Sequence, residues 1–223
     1  MDDKDRQAAF MSALITEHFV LQSAATATVS EAAARASLYV FSLSSSLVAM
    51  GFALPSPEVF LPFAATVLPA VFVLGIFTIV RLVDTGVEDQ QYLAGIARIR
   101  SYYRTLTPEA VVYFSAESGR WPESNASPGH RFGPRVALFT TAASMIAFIN
   151  SFVAGAGVTL LASHFLVRDH SVFALLLGMA TALVMMAAFL AFQQWRYSME
   201  PGQLQTTRAK SRKTSEPKRM LKP

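Results

Sequence analysis

The sequence predicts an all-α protein: a four-helix transmembrane bundle with cytoplasmic helical extensions of spans one and two. Three observations carry this expectation. Ala36–Pro57, Val59–Val80, Val136–Ser163 and Ser171–Trp195 contain no Asp, Glu, Lys, Arg or His. Each can supply the roughly 20 apolar residues that cross a bilayer as a helix. The chain of 223 residues is 52% hydrophobic and only 15% charged, whereas a soluble domain usually carries about a quarter charged residues. Third, the positive charge is one-sided. When the spans alternate sides, every Lys and Arg except Arg168 falls on the same side. That asymmetry predicts both termini and the middle loop in the cytoplasm.

These limits divide the chain into five parts. Residues 1–35 form a cytoplasmic N-terminal helix and 36–83 the first two spans. Residues 84–135 form a cytoplasmic helical module with a Pro/Gly loop, 136–195 the last two spans, and 196–223 a basic tail of disordered composition. There is no cysteine, which excludes disulfides, thiolate metal sites and cysteine nucleophiles. The first apolar run starts only at Ala36, so span one reads as a retained start-transfer helix and not as a cleaved leader.

The N-terminal segment is helical by its periodicity. Met11, Leu14, His18, Leu21, Ala25, Thr28 and Ala32 recur at spacings of three and four, which marks one helical face. The first Gly is Gly51 and the first Pro is Pro55. One continuous helix is therefore expected from near Ser12 into span one, with roughly 35 Å of it outside the membrane. A separate amphipathic helix on the membrane surface is the alternative. Glu31 and Arg35 are spaced to pair on the helix surface.

Leu54-Pro-Ser-Pro-Glu58 reads as a tight turn. Span two contains Pro62 and Pro69; Pro69 is the expected kink. Tyr92, Ile96, Ile99, Tyr103 and Leu106 then repeat at four, three, four, three, a short heptad-like seam. A further helix is expected over 108–118, with Thr107 as N-cap and Pro108 at its first position. The two apolar stripes should pack on each other, on helix 108–118, or on copies of themselves. Leu14, His18, Leu21, Tyr92, Ile96, Ile99, Tyr103 and Leu106 are accordingly the candidate partner or oligomer interface.

The spans carry small polar residues in place of charge. Ser42 and Ser46 lie in span one, Asn150, Ser151 and Gly155 in span three, and Gly178 in span four. They are candidates for intramembrane packing or for lining a pore. Asn150 needs a hydrogen-bond partner if buried, and Ser42 or Ser46 is expected to supply it. The absence of charge argues against proton-coupled carriers and voltage sensors. Arg208, Lys210, Arg212 and Lys213 in the tail suit anionic lipid headgroups. No interleaved aromatics accompany them, so no nucleic-acid partner is expected. His164, Asp169 and His170 make a weak metal constellation, because a fourth ligand is missing. Asp84, Glu88 and Asp89 read as a solvated helix face beside Arg81. No phosphate-binding loop, zinc-protease helix or nucleophile elbow occurs, so neither an enzyme nor a cofactor is expected.

Two segments carry a family resemblance. Thr16-Glu-His-Phe-Val-Leu-Gln-Ser-Ala24, running into Ser30-Glu-Ala-Ala-Ala-Arg-Ala-Ser37, is one; Ile96-Ala-Arg-Ile-Arg-Ser-Tyr-Tyr103 followed by Thr107-Pro-Glu-Ala110 is the other. Together they resemble uncharacterised bacterial, mainly actinobacterial, four-span membrane proteins. The resemblance implies a bacterial inner-membrane protein without an assigned reaction. The layout is also similar to membrane effectors of bacterial nucleotide-signalled defence, although no nucleotide-binding motif of theirs is matched. The expectation is a non-enzymatic membrane protein whose cytoplasmic helices receive a partner or signal. Its spans are expected to oligomerise as a membrane-perturbing or channel-like effector. A scaffold docking a cytoplasmic protein and a small-molecule transporter are the competing expectations.

Overall fold

The structure, a computed structural model, describes residues 2–114, 139–165 and 171–198. Those residues are all-helical. In chain order the helices are α1 (Asp3–Ala53), α2 (Pro57–Tyr103), α3 (Ala110–Tyr113), α4 (Ala142–Phe165) and α5 (Ser171–Ser198). All but the short α3 are long and apolar enough to cross a membrane.

α1 is one unbroken helix of 51 residues. It begins at Asp3, earlier than the expected start near Ser12. The Asp2 carboxylate accepts the Asp3 N–H at 2.7 Å, and Asp3 and Asp5 lie in the first turn, where negative charge complements the helix dipole. At about 1.5 Å per residue the helix is about 75 Å long. A hydrocarbon core is only about 30 Å thick, so more than half of α1 lies outside it. The chain reverses at Leu54–Ser56, where the Ser56 N–H donates to the Ala53 carbonyl at 3.0 Å. Pro57 then opens α2, which runs as a single helix through Pro62 and Pro69 to Tyr103. α1 and α2 thus form a long antiparallel hairpin.

The contacts along the hairpin keep one register. Phe10 meets Tyr102 edge-on, with ring centroids 5.6 Å apart. A Cβ on Gly95 would lie 2.9 Å from the Leu21 side chain. Thr28 reaches Asp89, and Glu31 reaches Arg81. The two stripes expected from periodicity therefore face each other within one chain. α3 is shorter than the helix expected over 108–118. It starts at Ala110, although the Thr107 hydroxyl still accepts the Ala110 N–H at 3.3 Å; residues from 115 on lie outside the described set.

α4 packs on α2, and α5 packs on α4. The core gathers Tyr39 and Leu43 from α1, Val71, Ile79, Leu82 and Val83 from α2, and Ala143, Ile146, Ala147 and Val153 from α4. The apolar window of α4 is 39% buried, against 11% for α1 and for α5. α4 is thus the most buried span, and the outer faces of α1 and α5 are left uncovered within one chain.

α4 and α5 approach closely at two glycines. A Cβ on Gly155 would sit 2.7 Å from the Gly178 carbonyl oxygen, and one on Gly178 would sit 2.6 Å from that of Gly155. Lipid offers little hydrophobic drive for association, so close backbone contact supplies the attraction. Gly157, two residues along α4, faces open space. Gly155→Ala and Gly178→Ala should each destabilise the bundle by about 1–3 kcal/mol, while Gly157→Ala is neutral. Unfolding in mixed detergent micelles measures this difference.

Candidate functional site

Two polar features stand out: a buried junction within the spans and a charged collar at one end of them. The junction centres on Asn150, which is 0% exposed. Tyr39 of α1 donates its hydroxyl to Asn150 Oδ1 at 3.1 Å. Asn150 Nδ2 donates to the Phe72 carbonyl of α2 at 3.2 Å. Gly75 makes the space, since a Cβ there would collide with the Asn150 carboxamide. Three helices are tied at one amide.

Ser42 and Ser46, the expected partners, do not reach Asn150. Their hydroxyls donate back to the Leu38 and Ser42 carbonyls of their own helix, at 2.8 Å each. Such back-bonding to the preceding turn satisfies a serine hydroxyl locally, leaving the reach across the helices to the longer Tyr39. The spacing could have pointed to Tyr39, because Thr28, Ala32, Tyr39, Leu43 and Met50 continue the N-terminal stripe. Ser151 is buried and back-bonds to the Ala147 carbonyl at 2.7 Å. Gly155 and Gly178 face each other, as described. Within a single chain, Asn150 and Ser151 are both buried.

A second polar knot joins α4 to α5. Gln193 is only 3% exposed. It accepts from the Ser144 hydroxyl at 3.0 Å and donates to Thr141 Oγ1 at 2.9 Å. Thr141 also caps α4 by accepting the Ser144 N–H at 3.2 Å. Sequence reading passed over Gln193 because it sits at the end of an apolar run.

The collar lies where α1 and α2 leave the apolar band. Glu31 holds Arg81 through two contacts, 2.8 and 3.1 Å, and Arg35 through one of 2.8 Å. Arg81 also donates to Glu88 at 3.0 Å. Arg196 of α5 donates to Asp84 at 3.0 Å. Asp84, Glu88 and Asp89 are therefore a half-exposed face whose members are paired. They point to three different partners: Arg196, Arg81 and Thr28. The Arg81 and Arg35 hydrogen bonds hold the Glu31 carboxyl down at about 2.

Beyond the collar the candidate interface residues are mostly turned inward. Ile96 and Ile99 are 7% exposed each. Leu14, His18, Leu21, Tyr92 and Tyr103 are half-buried, and Leu106 is exposed. Arg100 is buried beneath Phe114, whose ring centre lies 5.8 Å from its guanidinium carbon. Tyr103 packs on the same ring at 5.2 Å. Apolar side chains left open on this part include Ile15, Phe19, Val20, Val111, Val112 and Tyr113.

Comparison with protein-family models, curated proteins and solved structures finds no match. The four apolar helices make this a membrane protein. Among the described residues no group of His, Cys, Asp or Glu could hold a metal ion. His164 ends α4 with its ring edge-on to Phe165 at 4.6 Å; Asp169 and His170 lie outside the described residues. So do Arg208, Lys210, Arg212 and Lys213 of the tail.

The junction makes a prediction. Asn150→Leu strands the Tyr39 hydroxyl and should cost about 1–3 kcal/mol. Adding Tyr39→Phe removes the stranded group, so the double variant should recover part of that loss in micelle unfolding. The collar makes another. A depressed carboxyl contributes stability above its unfolded value and loses it as pH falls. The α1–α2 clasp should therefore weaken as pH drops from 4.5 toward about 2, and Glu31→Gln should flatten that part of the acid-unfolding curve.

Proposed function

We propose that the protein is a non-enzymatic, multi-pass membrane protein whose projecting α1–α2 hairpin receives a partner or signal and passes it to the spans. One observation supports this above the others: α1 and α2 run without a break from the projecting part into the apolar band. A helix pair that is continuous through the boundary transmits a displacement at its tip to the membrane. A hinge would absorb it.

In this reading the one-sided Lys and Arg place the hairpin, both termini and the tail in the cytoplasm of a bacterium, at the inner membrane. The basic tail lies against anionic headgroups. The spans self-associate and open or perturb the bilayer. The mostly uncovered apolar faces of α1 and α5 are where like chains meet. The seam residues Ile96 and Ile99 are already buried within the chain, so a partner is received on the exposed side chains of the tip, Ile15, Phe19, Val111 and Val112.

The chain has no cysteine, so single-cysteine crosslinking in membranes is a clean test. Leu176→Cys and Phe41→Cys, on the open faces of α5 and α1, should crosslink identical chains. Overexpression should depolarise cells reported by a membrane-potential dye. Capture of one foreign protein at Phe19→Cys without crosslinks between spans or depolarisation would replace this reading with a docking scaffold. Substrate-dependent uptake into proteoliposomes would replace it with a transporter.

A further inference from the structure

Asp89 differs from every other acid of the collar. Glu31, Asp84 and Glu88 each hold an arginine. Among the described residues no ion pair reaches Asp89, and its hydrogen-bond partner is the Thr28 hydroxyl across the hairpin, at 3.2 Å. That hydroxyl lies closer to the Ala25 carbonyl, at 2.7 Å. A hydroxyl has one proton to donate and lone pairs to accept with. When the nearer carbonyl takes the Thr28 proton, two oxygens without a hydrogen face each other unless the carboxyl carries one. A protonated Asp89 resolves the conflict: it donates to Thr28 Oγ1, and Thr28 donates to Ala25.

The surroundings favour the neutral form. Thr28 is 6% exposed. From α1 the nearest acid is Glu31, one turn beyond Thr28; from α2 it is Glu88, the neighbour in sequence. Both are committed to Arg81. From α5 the titratable group facing this stretch is Tyr197, whose hydroxyl sits against Gly86 and feels the charge of an ionised Asp89. Arg196, beside it, is held by Asp84. Burial pushes the Asp89 carboxyl up from its ordinary value, against a smaller opposing effect of the Thr28 hydrogen bond.

We propose that Asp89 is a proton-binding latch between α1 and α2: protonated, it donates to Thr28 and closes the hairpin above the collar, and ionised, it loosens it. The proton comes from and returns to solvent. The latch does not depend on self-association of the spans. Its sign is opposite to that of Glu31. A group whose folded value is raised adds stability at low pH and loses it as pH rises through that value, whereas the Glu31 clasp weakens on acidification.

Infrared titration of the full chain in lipid vesicles tests the proton. Wild type should show a carboxylic-acid band that titrates above the ordinary aspartate value of about 3.9, and Asp89→Asn should lack it. Spin-label distances between Ser23→Cys and Gln90→Cys, across the hairpin, test the latch. The distribution should broaden as pH rises through the same midpoint, and Asp89→Asn should hold it narrow throughout. The wild-type distance series stands alone if the variant does not fold. Absence of the band overturns the proton site. A band with an unchanged distance distribution overturns the latch.

Discussion

The bundle depends on a constraint set by its solvent. Lipid is as apolar as the helices, so burying leucine against leucine contributes little there. What holds these spans together must be close backbone contact or a polar group that lipid cannot satisfy. The Asn150 carboxamide provides the second. An unpaired amide in hydrocarbon costs several kcal/mol, and the observed arrangement of α1, α2 and α4 relieves it. Tyr39 must lie on one side, the Phe72 carbonyl on the other, and Gly75 must be bare. The Gly155–Gly178 contact provides the first, bringing the α4 and α5 backbones together with the small side chains of Thr159 and Ala182 beside them. α5 then closes on α2 through the Asp84–Arg196 pair.

The collar does a different task. It sits at the exit from the apolar band, where water becomes available and charge is tolerated. Its pairs cross between helices: Glu31 to Arg81 joins α1 to α2, and Asp84 to Arg196 joins α2 to α5. They hold the projecting hairpin in register with the spans beneath it. Phe10 against Tyr102 at the far end shows that the register survives to the tip. The hairpin is therefore one lever, pinned within the spans by Asn150 and at their exit by Glu31 and Arg81.

Element type and order were legible in the sequence because they rest on local patterns. Uncharged runs gave the spans, and spacing of three and four gave the hairpin seam. Pro-Ser-Pro gave the reversal. The Glu31–Arg35 pair followed from its spacing alone. Partners across helices were less legible. Nothing local says that Asp84 turns to Arg196, more than a hundred residues away, while Arg81 skips it for Glu31 and Glu88. Asn150 was recognised as needing a partner, yet a serine was expected where a tyrosine reaches it. Nothing local shows that Phe114 folds back over Arg100. The chain itself covers most of the apolar stripe formed by the candidate interface residues of the seam.

The central claim is that α1 is one helix passing from water into lipid without a hinge. Single spin labels stepped along α1 from Asp5 to Phe52, with one water-soluble and one lipid-soluble relaxation agent, test it most directly. The account predicts one unbroken helical periodicity, with water access dominating up to Ser37 and lipid access beyond it. A break in that periodicity between Ala24 and Ala36, with Ile15 and Phe19 in contact with lipid, would contradict it. α1 would then be a surface helix jointed to a span.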